Sequence, residues 1–176
     1  MEFISSVTVG VGGAASITFS SIPATYTDLV LVFSIRDDAA LVANSPRVRF
    51  NSDTGANYTY PRKIQGNGAA VSTAGGTTGQ TFAFFDFAST GASATSNTFS
   101  NCQIYFPNYS SANPKIYALD IVSENNGATG YDLIAAGYWS GTAAISNIQL
   151  YNATYLQNST AYLYGITKGS GGATVS

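Results

Sequence analysis

The chain has 176 residues, of which 45% are hydrophobic and only 9% charged, with seven Lys and Arg, nine Asp and Glu and no His. That length suits one domain, which can bury roughly 70% of the surface its unfolded form exposes without a metal or disulfide staple. A formal net charge of −2 with no run of Lys or Arg leaves nothing to track phosphates, which argues against nucleic acid as a partner.

An ordinary soluble domain carries about 25% charged residues, so this surface must be neutral and polar, built from Ser, Thr, Asn, Gly and Tyr. Covering such groups costs less desolvation than covering ions, and the surface therefore suits packing against proteins or sugars. No stretch approaches the roughly 20 apolar residues of a membrane span. No basic start leads into an apolar run, so neither signal-directed export nor membrane insertion is expected.

Short β-branched and aromatic runs recur between clusters of Gly, Ser, Asn and Pro, and helical periodicity is nearly absent. The spacing predicts strands over 3–9, 14–20, 28–36, 46–51, 58–65, 81–87, 100–106, 115–123, 131–139, 144–151 and 161–167. In 28–36, Leu29, Leu31, Phe33 and Ile35 share a core face, while Val30, Val32, Ser34 and Arg36 share one that fades toward solvent. In 81–87 both faces are apolar, Phe82 and Phe84 against Ala83, Phe85 and Phe87, as in a covered strand. The run from Ala144 to Leu150 breaks alternation by one residue, which makes a β-bulge if the strand is continuous. Cys102, beside Phe99, Ile104 and Phe106, reads as a small buried hydrophobe.

The Gly-rich stretch 66–80 and the small-residue stretch 88–97 are expected as exposed, mobile loops, and the tail 169–176 as flexible. The first lacks the Lys-Ser/Thr ending and following helix of a phosphate cradle. About ten strands without helices fit an all-β, jelly-roll-like antiparallel β-sandwich, a single domain over 1–168.

The absence of His removes Ser-His-Asp and Cys-His catalysis and, with one Cys, zinc and copper sites. Asp37 and Asp38 with Asn44, or Asp53 with Asn57, could offer oxygen ligands to calcium, but neither follows a calcium-loop pattern and turn chemistry explains both. Paired carboxylates remain as an enzyme mechanism, with Asp86, Asp120, Glu124 and Asp132 as members. Asp120 and Glu124 could share a strand face, yet nothing sets an acid and a base across a cleft. No catalytic residue, cofactor or metal is therefore assigned, and the chain reads as non-enzymatic.

Twelve Tyr and one Trp are more informative, because rigid aromatics on a neutral surface anchor protein contacts or stack on sugars. Tyr58, Tyr60, Tyr109, Tyr138, Trp139 and Tyr155 are the candidate partner contacts, with core-edge packing as the alternative use of each. Tyr138 and Trp139 are adjacent and must point to opposite faces. The sequons at Asn57, Asn108, Asn152 and Asn158 read as chance matches in so Asn- and Thr-rich a chain.

The phrases SSVTVGVGGAASITFSSIPATYTDLVLVFSIRDD (5–38), VRFNSDTGANYTYPRKIQGNG (48–68), NCQIYFPNYSSANPKIYALDIVSENN (101–126), AAGYWSGTAAISNIQLYNA (135–153) and TAYLYGITKG (160–169) resemble a family of small tailed-phage proteins, including those of cyanobacterial phages. The resemblance implies a sandwich-fold virion part, made in the host cytoplasm and placed on the particle surface, and no activity. It leaves two placements: a capsid decoration or cement protein on the major capsid protein, or a tail-fibre or tail-associated module that binds host glycans. The first is favoured because the chain shows no coiled-coil or β-helical shaft. The surplus of aromatics over charges points to a homo-oligomer, and analogy with jelly-roll virion proteins suggests a trimer.

Overall fold

From Lys115 to Ser123 buried and exposed side chains alternate without a break, and Ser100 to Phe106 does the same. Such alternation is the mark of a pleated strand with one face inward. The computed structural model describes residues 1–67, 70–126 and 130–167. In chain order the strands are β1 (Glu2–Thr8), β2 (Ala14–Phe19), β3 (Asp28–Ser34), β4 (Ala43–Asn44), β5 (Arg47–Phe50), β6 (Arg62–Asn67), β7 (Ala70–Ala74), β8 (Ala83–Phe84), β9 (Ser89–Thr90), β10 (Ser100–Phe106), β11 (Lys115–Ser123), β12 (Tyr131–Trp139), β13 (Ile148–Tyr155) and β14 (Thr160–Ile166). No helix occurs among the described residues.

The strands form an eight-stranded sheet in the order β1-β14-β3-β10-β11-β12-β6-β7, a four-stranded sheet β2-β13-β5-β8, and the pair β4-β9. Every ladder between them is antiparallel. The result is the all-β antiparallel sandwich expected from the sequence. Leu31, Phe33, Ile104, Phe106, Leu119, Ile121 and Leu133 of the larger sheet and Ile17, Phe19, Val48, Phe50, Ile148 and Leu150 of the smaller sheet belong to one buried cluster. Phe50 is its aromatic hub, with ring centroids 5.5 Å from Phe106, 5.7 Å from Tyr117 and 5.6 Å from Trp139. Gly137 makes room for Tyr117, since a Cβ there would lie 2.2 Å from the tyrosine Cζ.

Several local expectations are corrected. Residues 58–61 are not strand; β6 begins at Arg62, and the stretch 66–80, read as a loop, contributes β7 to the larger sheet. Residues 75–80 are tied down as well, because Tyr58 and Gln80 exchange backbone hydrogen bonds and Tyr60 N donates to Thr77 O at 2.7 Å. The strand expected over 81–87 shrinks to Ala83–Phe84, with Phe87 turned to a φ of 56°. The stretch 144–150 is not one strand. Asn51 replaces its ladder: Nδ2 donates to Ala144 O (2.7 Å), and Oδ1 accepts from Ser146 N (2.8 Å) and Asn147 N (3.1 Å). The irregularity in β13 falls further on, between Tyr151 and Tyr155, where Asn152 has a φ of 95°.

Arg36, expected near solvent, is buried. Its guanidinium donates to the carbonyl oxygens of Thr95 (2.8 Å), Ala94 (3.0 Å) and Thr98 (3.2 Å), which satisfy the charge where no carboxylate among the described residues pairs with it. Of the stretch 88–97, expected to be exposed, Ala88, Ser89, Thr90 and Gly91 are buried, while Ala92, Ser93, Thr95, Ser96 and Asn97 are exposed as expected, with the carbonyls of Ala94 and Thr95 tied to Arg36. The tail 169–176 lies outside the described residues.

The hub position of Phe50 makes a quantitative expectation. Phe50→Ala should lower the unfolding free energy by about 3–5 kcal/mol, whereas Phe3→Ala, at an exposed position in β1, should change it by less than about 0.5 kcal/mol. Urea denaturation of both variants checks the pair.

Candidate docking face

A sandwich buries one face of each sheet, and the other face of the eight-stranded sheet here is unusually apolar. Register places Tyr162, Val32, Gln103, Asp120, Ile134 and Ile64 side by side across β14, β3, β10, β11, β12 and β6. The neighbouring row runs Tyr164, Val30, Tyr105, Ala118 and Ala136, and beyond it Ile116 stands opposite Tyr138. Ile134, Ile116 and Ile64 are 66%, 58% and 57% exposed, although isoleucine is among the residues most often buried. Among the described side chains of these rows, Asp120 carries the one formal charge, and Asp132 lies just beyond.

A half-open cavity of about 550 Å³ lies where Tyr105, Pro107, Ile116 and Tyr138 meet Tyr60 and Thr78 of the flanking segments. Its tyrosine hydroxyls are partly spoken for. Tyr105 donates to Asp28 Oδ2 at 2.8 Å and Tyr60 to Asp86 Oδ2 at 2.6 Å; Asp86 is in turn ion-paired with Lys63. The bond to Asp28 raises the Tyr105 hydroxyl above its ordinary pKa, and burial followed by the bond to Asp86 raises Tyr60 further. Both stay protonated at neutral pH with their hydrogens given to those carboxylates, while the hydroxyl of Tyr117, which also lines the cavity, is buried without a hydrogen-bond partner. A second hollow, about 450 Å³, lies over Ile64, Thr73, Ala118 and Ile134, and a polar one of about 210 Å³ over Asn101, Gln103, Asp120 and Val122.

Of the six aromatic candidates, Tyr60 and Tyr138 line the large cavity. Tyr58, Tyr109, Trp139 and Tyr155 are buried and offer no surface, because each finds a polar partner inside. Tyr58 Oη accepts from Phe50 N (3.1 Å) and donates to Asp53 O (3.2 Å), Tyr109 donates to Pro23 O, Trp139 Nε1 donates to Asp53 Oδ2 (2.7 Å), and Tyr155 donates to Tyr151 O (3.5 Å). Tyr105, Ile116, Ile134 and Ile64 were missed. For Ile116 and Ile134 the signal lay in β11 and β12, where most residues alternating with the core positions are again apolar, as they are in a strand covered on both faces; Tyr105 in β10 and Ile64 in β6 carried no such signal.

Asp120 and Asp132 are diagonal neighbours on the outer face of β11 and β12, with no acid facing them across a cleft, and Asp86 is paired with Lys63. β11 ends at Ser123, so Asp120 and Glu124 share no strand, and Glu124 Oε1 instead accepts from Asn126 N across the turn. Asp37 accepts from Ala39 N (3.0 Å) and Asn44 Nδ2 (2.8 Å), and Asp53 from Gly55 N (2.8 Å), Asn57 Nδ2 (2.9 Å) and Trp139. Both former calcium candidates thus act as turn acceptors. Among the described residues no three His, Cys, Asp or Glu side chains gather as a metal site would require. Comparison with protein-family models, curated proteins and solved structures finds no match to this chain.

Asp53 and Trp139 supply a pH expectation. Partial burial pushes the Asp53 carboxyl up, but the hydrogen bonds from Trp139, Asn57 and Gly55 together outweigh it and hold the group below its ordinary 3.8. A carboxyl lowered by folding stabilises the fold above its unfolded pKa and loses that contribution as pH falls through the folded value. Emission from Trp139, the single tryptophan, should therefore shift with a midpoint below pH 3.8, and Asp53→Asn should abolish that titration. A midpoint at or above the ordinary value would mean that the bond to Trp139 is not made in solution.

Proposed function

We propose that this chain is a non-enzymatic structural protein of a tailed-phage particle, a capsid decoration or cement protein that docks onto the shell through the outer face of its eight-stranded sheet. The carrying observation is that face itself: three isoleucines more than half exposed beside Tyr105 and Tyr138, with Asp28, Asp120 and Asp132 the charges among its described side chains. Eight strands about 4.8 Å apart and roughly seven residues long span on the order of 800 Å², which matches what one partner buries in a stable protein interface. The family resemblance supplies the particle; the apolar face supplies the means of attachment. Tyr60 and Tyr105, whose hydroxyls are already bonded, suit apolar side chains of a partner better than the hydroxyls of a sugar.

A tail-associated glycan-binding module is the second reading, favoured by one feature. Asn101 and Gln103 lie beside Asp120 in a polar hollow, and Tyr105 follows on the same face of β10, so a sugar could stack and hydrogen-bond there.

Ile116→Asp and Ile134→Asp test the first reading. Both positions are exposed, so unfolding free energy should change by about 1 kcal/mol or less, while binding to particles stripped of this protein should weaken at least tenfold. Wild-type particles should contain hundreds of copies. Undiminished binding by both variants would contradict the docking face, and a few dozen copies per particle would favour the tail.

A further inference from the structure

The chain is poor in cations and uses three of the described ones internally. Arg36 is spent on backbone carbonyls, Lys115 donates to Ser111 O (2.8 Å), Asn113 O and Thr142 O (3.4 Å), and Lys63 pairs with Asp86. Arg47 and Arg49 differ. They lie on the outer face of β5, alternating with Val48 and Phe50, which fill the core. Being two residues apart, they point the same way from Cα atoms about 6.5 Å apart.

Each guanidinium lies on an aromatic ring: Arg47 is 4.4 Å from the centroid of Phe82, and Arg49 is 4.6 Å from that of Tyr151. Tyr151 is directly opposite Arg47 on β13, and Gln149 is opposite Arg49. The Nε atoms of both arginines and the Tyr151 hydroxyl are shut off from water without a hydrogen-bond partner. Asp53 feels the charge of Arg49, but its oxygens are taken by Trp139, Asn57 and Gly55. These three atoms are covered by the protein itself, so a docking partner meets the half-buried guanidiniums at their outer edges.

Stacking holds each guanidinium plane in position, so little further order is lost when its fork meets a carboxylate. None of the cavities described above is lined by Arg47, Arg49 or Tyr151. Small ligands favour concave sites, whereas a pleated sheet face suits another protein surface. We propose that the Arg47–Arg49 strip, on the outer face of the four-stranded sheet, is a second binding site that takes paired carboxylates on the surface of a partner protein. This site is separate from the docking face proposed above and belongs to the other sheet, so the sandwich has the means to bridge two protein surfaces.

The test titrates the full chain with a decaglutamate peptide at 50 mM NaCl while NMR follows the arginine Nε–H signals. The signals of Arg47 and Arg49 should shift, decaglutamine should not bind, and 500 mM NaCl should abolish binding. Arg47→Gln and Arg49→Gln should each weaken binding at least tenfold, and the Lys variants, which keep the charge without the fork, at least threefold. Should a Gln variant unfold, the wild-type shifts and the Lys variants carry the test. Binding indifferent to all four substitutions would overturn the proposal. So would tighter binding of polygalacturonate than of decaglutamate, which would make the site one for acidic sugars. Salt-sensitive self-association that Asp120→Asn or Asp132→Asn removes would also overturn it, by making the occupant a second copy.

Discussion

Phe50 reaches from the four-stranded sheet into the rings of Phe106, Tyr117 and Trp139 on the eight-stranded sheet, and this contact decides which face of the central strands turns inward. A slip of one residue in β11 or β12 would exchange every buried side chain for its neighbour. Ile116 and Ile134 would then enter the core, while Tyr117 and Leu133 would face solvent. Gly137 guards against that slip, since the Tyr117 ring occupies the space a side chain there would need. The apolar outer face follows directly: once the aromatic residues are inside, the alternating isoleucines have nowhere else to point.

Scarcity of charge shapes the polar side of the structure in the same way. With few carboxylates available, buried Arg36 and Lys115 are satisfied by backbone carbonyls, and those bonds shape the segments around 92–98 and 111–113. Thr90 Oγ1 lies 3.1 Å from Ser123 Oγ, and Ser100 Oγ donates to Ala88 O at 2.7 Å, which ties the same segment to the larger sheet. Arg36, Lys63 and Lys115 serve the fold. Arg47 and Arg49 stand outside this economy, as Ile116 and Ile134 stand outside the core.

Regular alternation made the long strands legible. The expected 115–123 and 131–139 coincide with β11 and β12, and Leu29, Leu31, Phe33 and Ile35 are all buried as their shared face implied. Where side chains rather than alternation set the local structure, the reading went astray. Asn51 brackets residues 144–147 from almost a hundred positions away, and Arg36 organises a stretch that looked like a free loop. Neither bond leaves a trace in local pattern. Tyr58 and Trp139 could serve core edge or surface by pattern alone, and the partner decided: the backbone of Phe50 for one, Asp53 for the other. Three of the four sequon asparagines have another reason to be asparagine. Asn108, Asn152 and Asn158 have φ of 48°, 95° and 70°, in or near the left-handed region that Asn tolerates better than most residues.

The central claim is that the outer face of the eight-stranded sheet is covered when the protein is in place. Hydroxyl-radical footprinting of the free chain and of the same chain assembled on its particle measures this residue by residue. Tyr105, Ile116, Ile134 and Tyr138 should be modified readily in the free chain and at least fivefold more slowly on the particle, while exposed Leu41, outside that sheet, changes little. Equal modification of the four residues in both states would contradict the account.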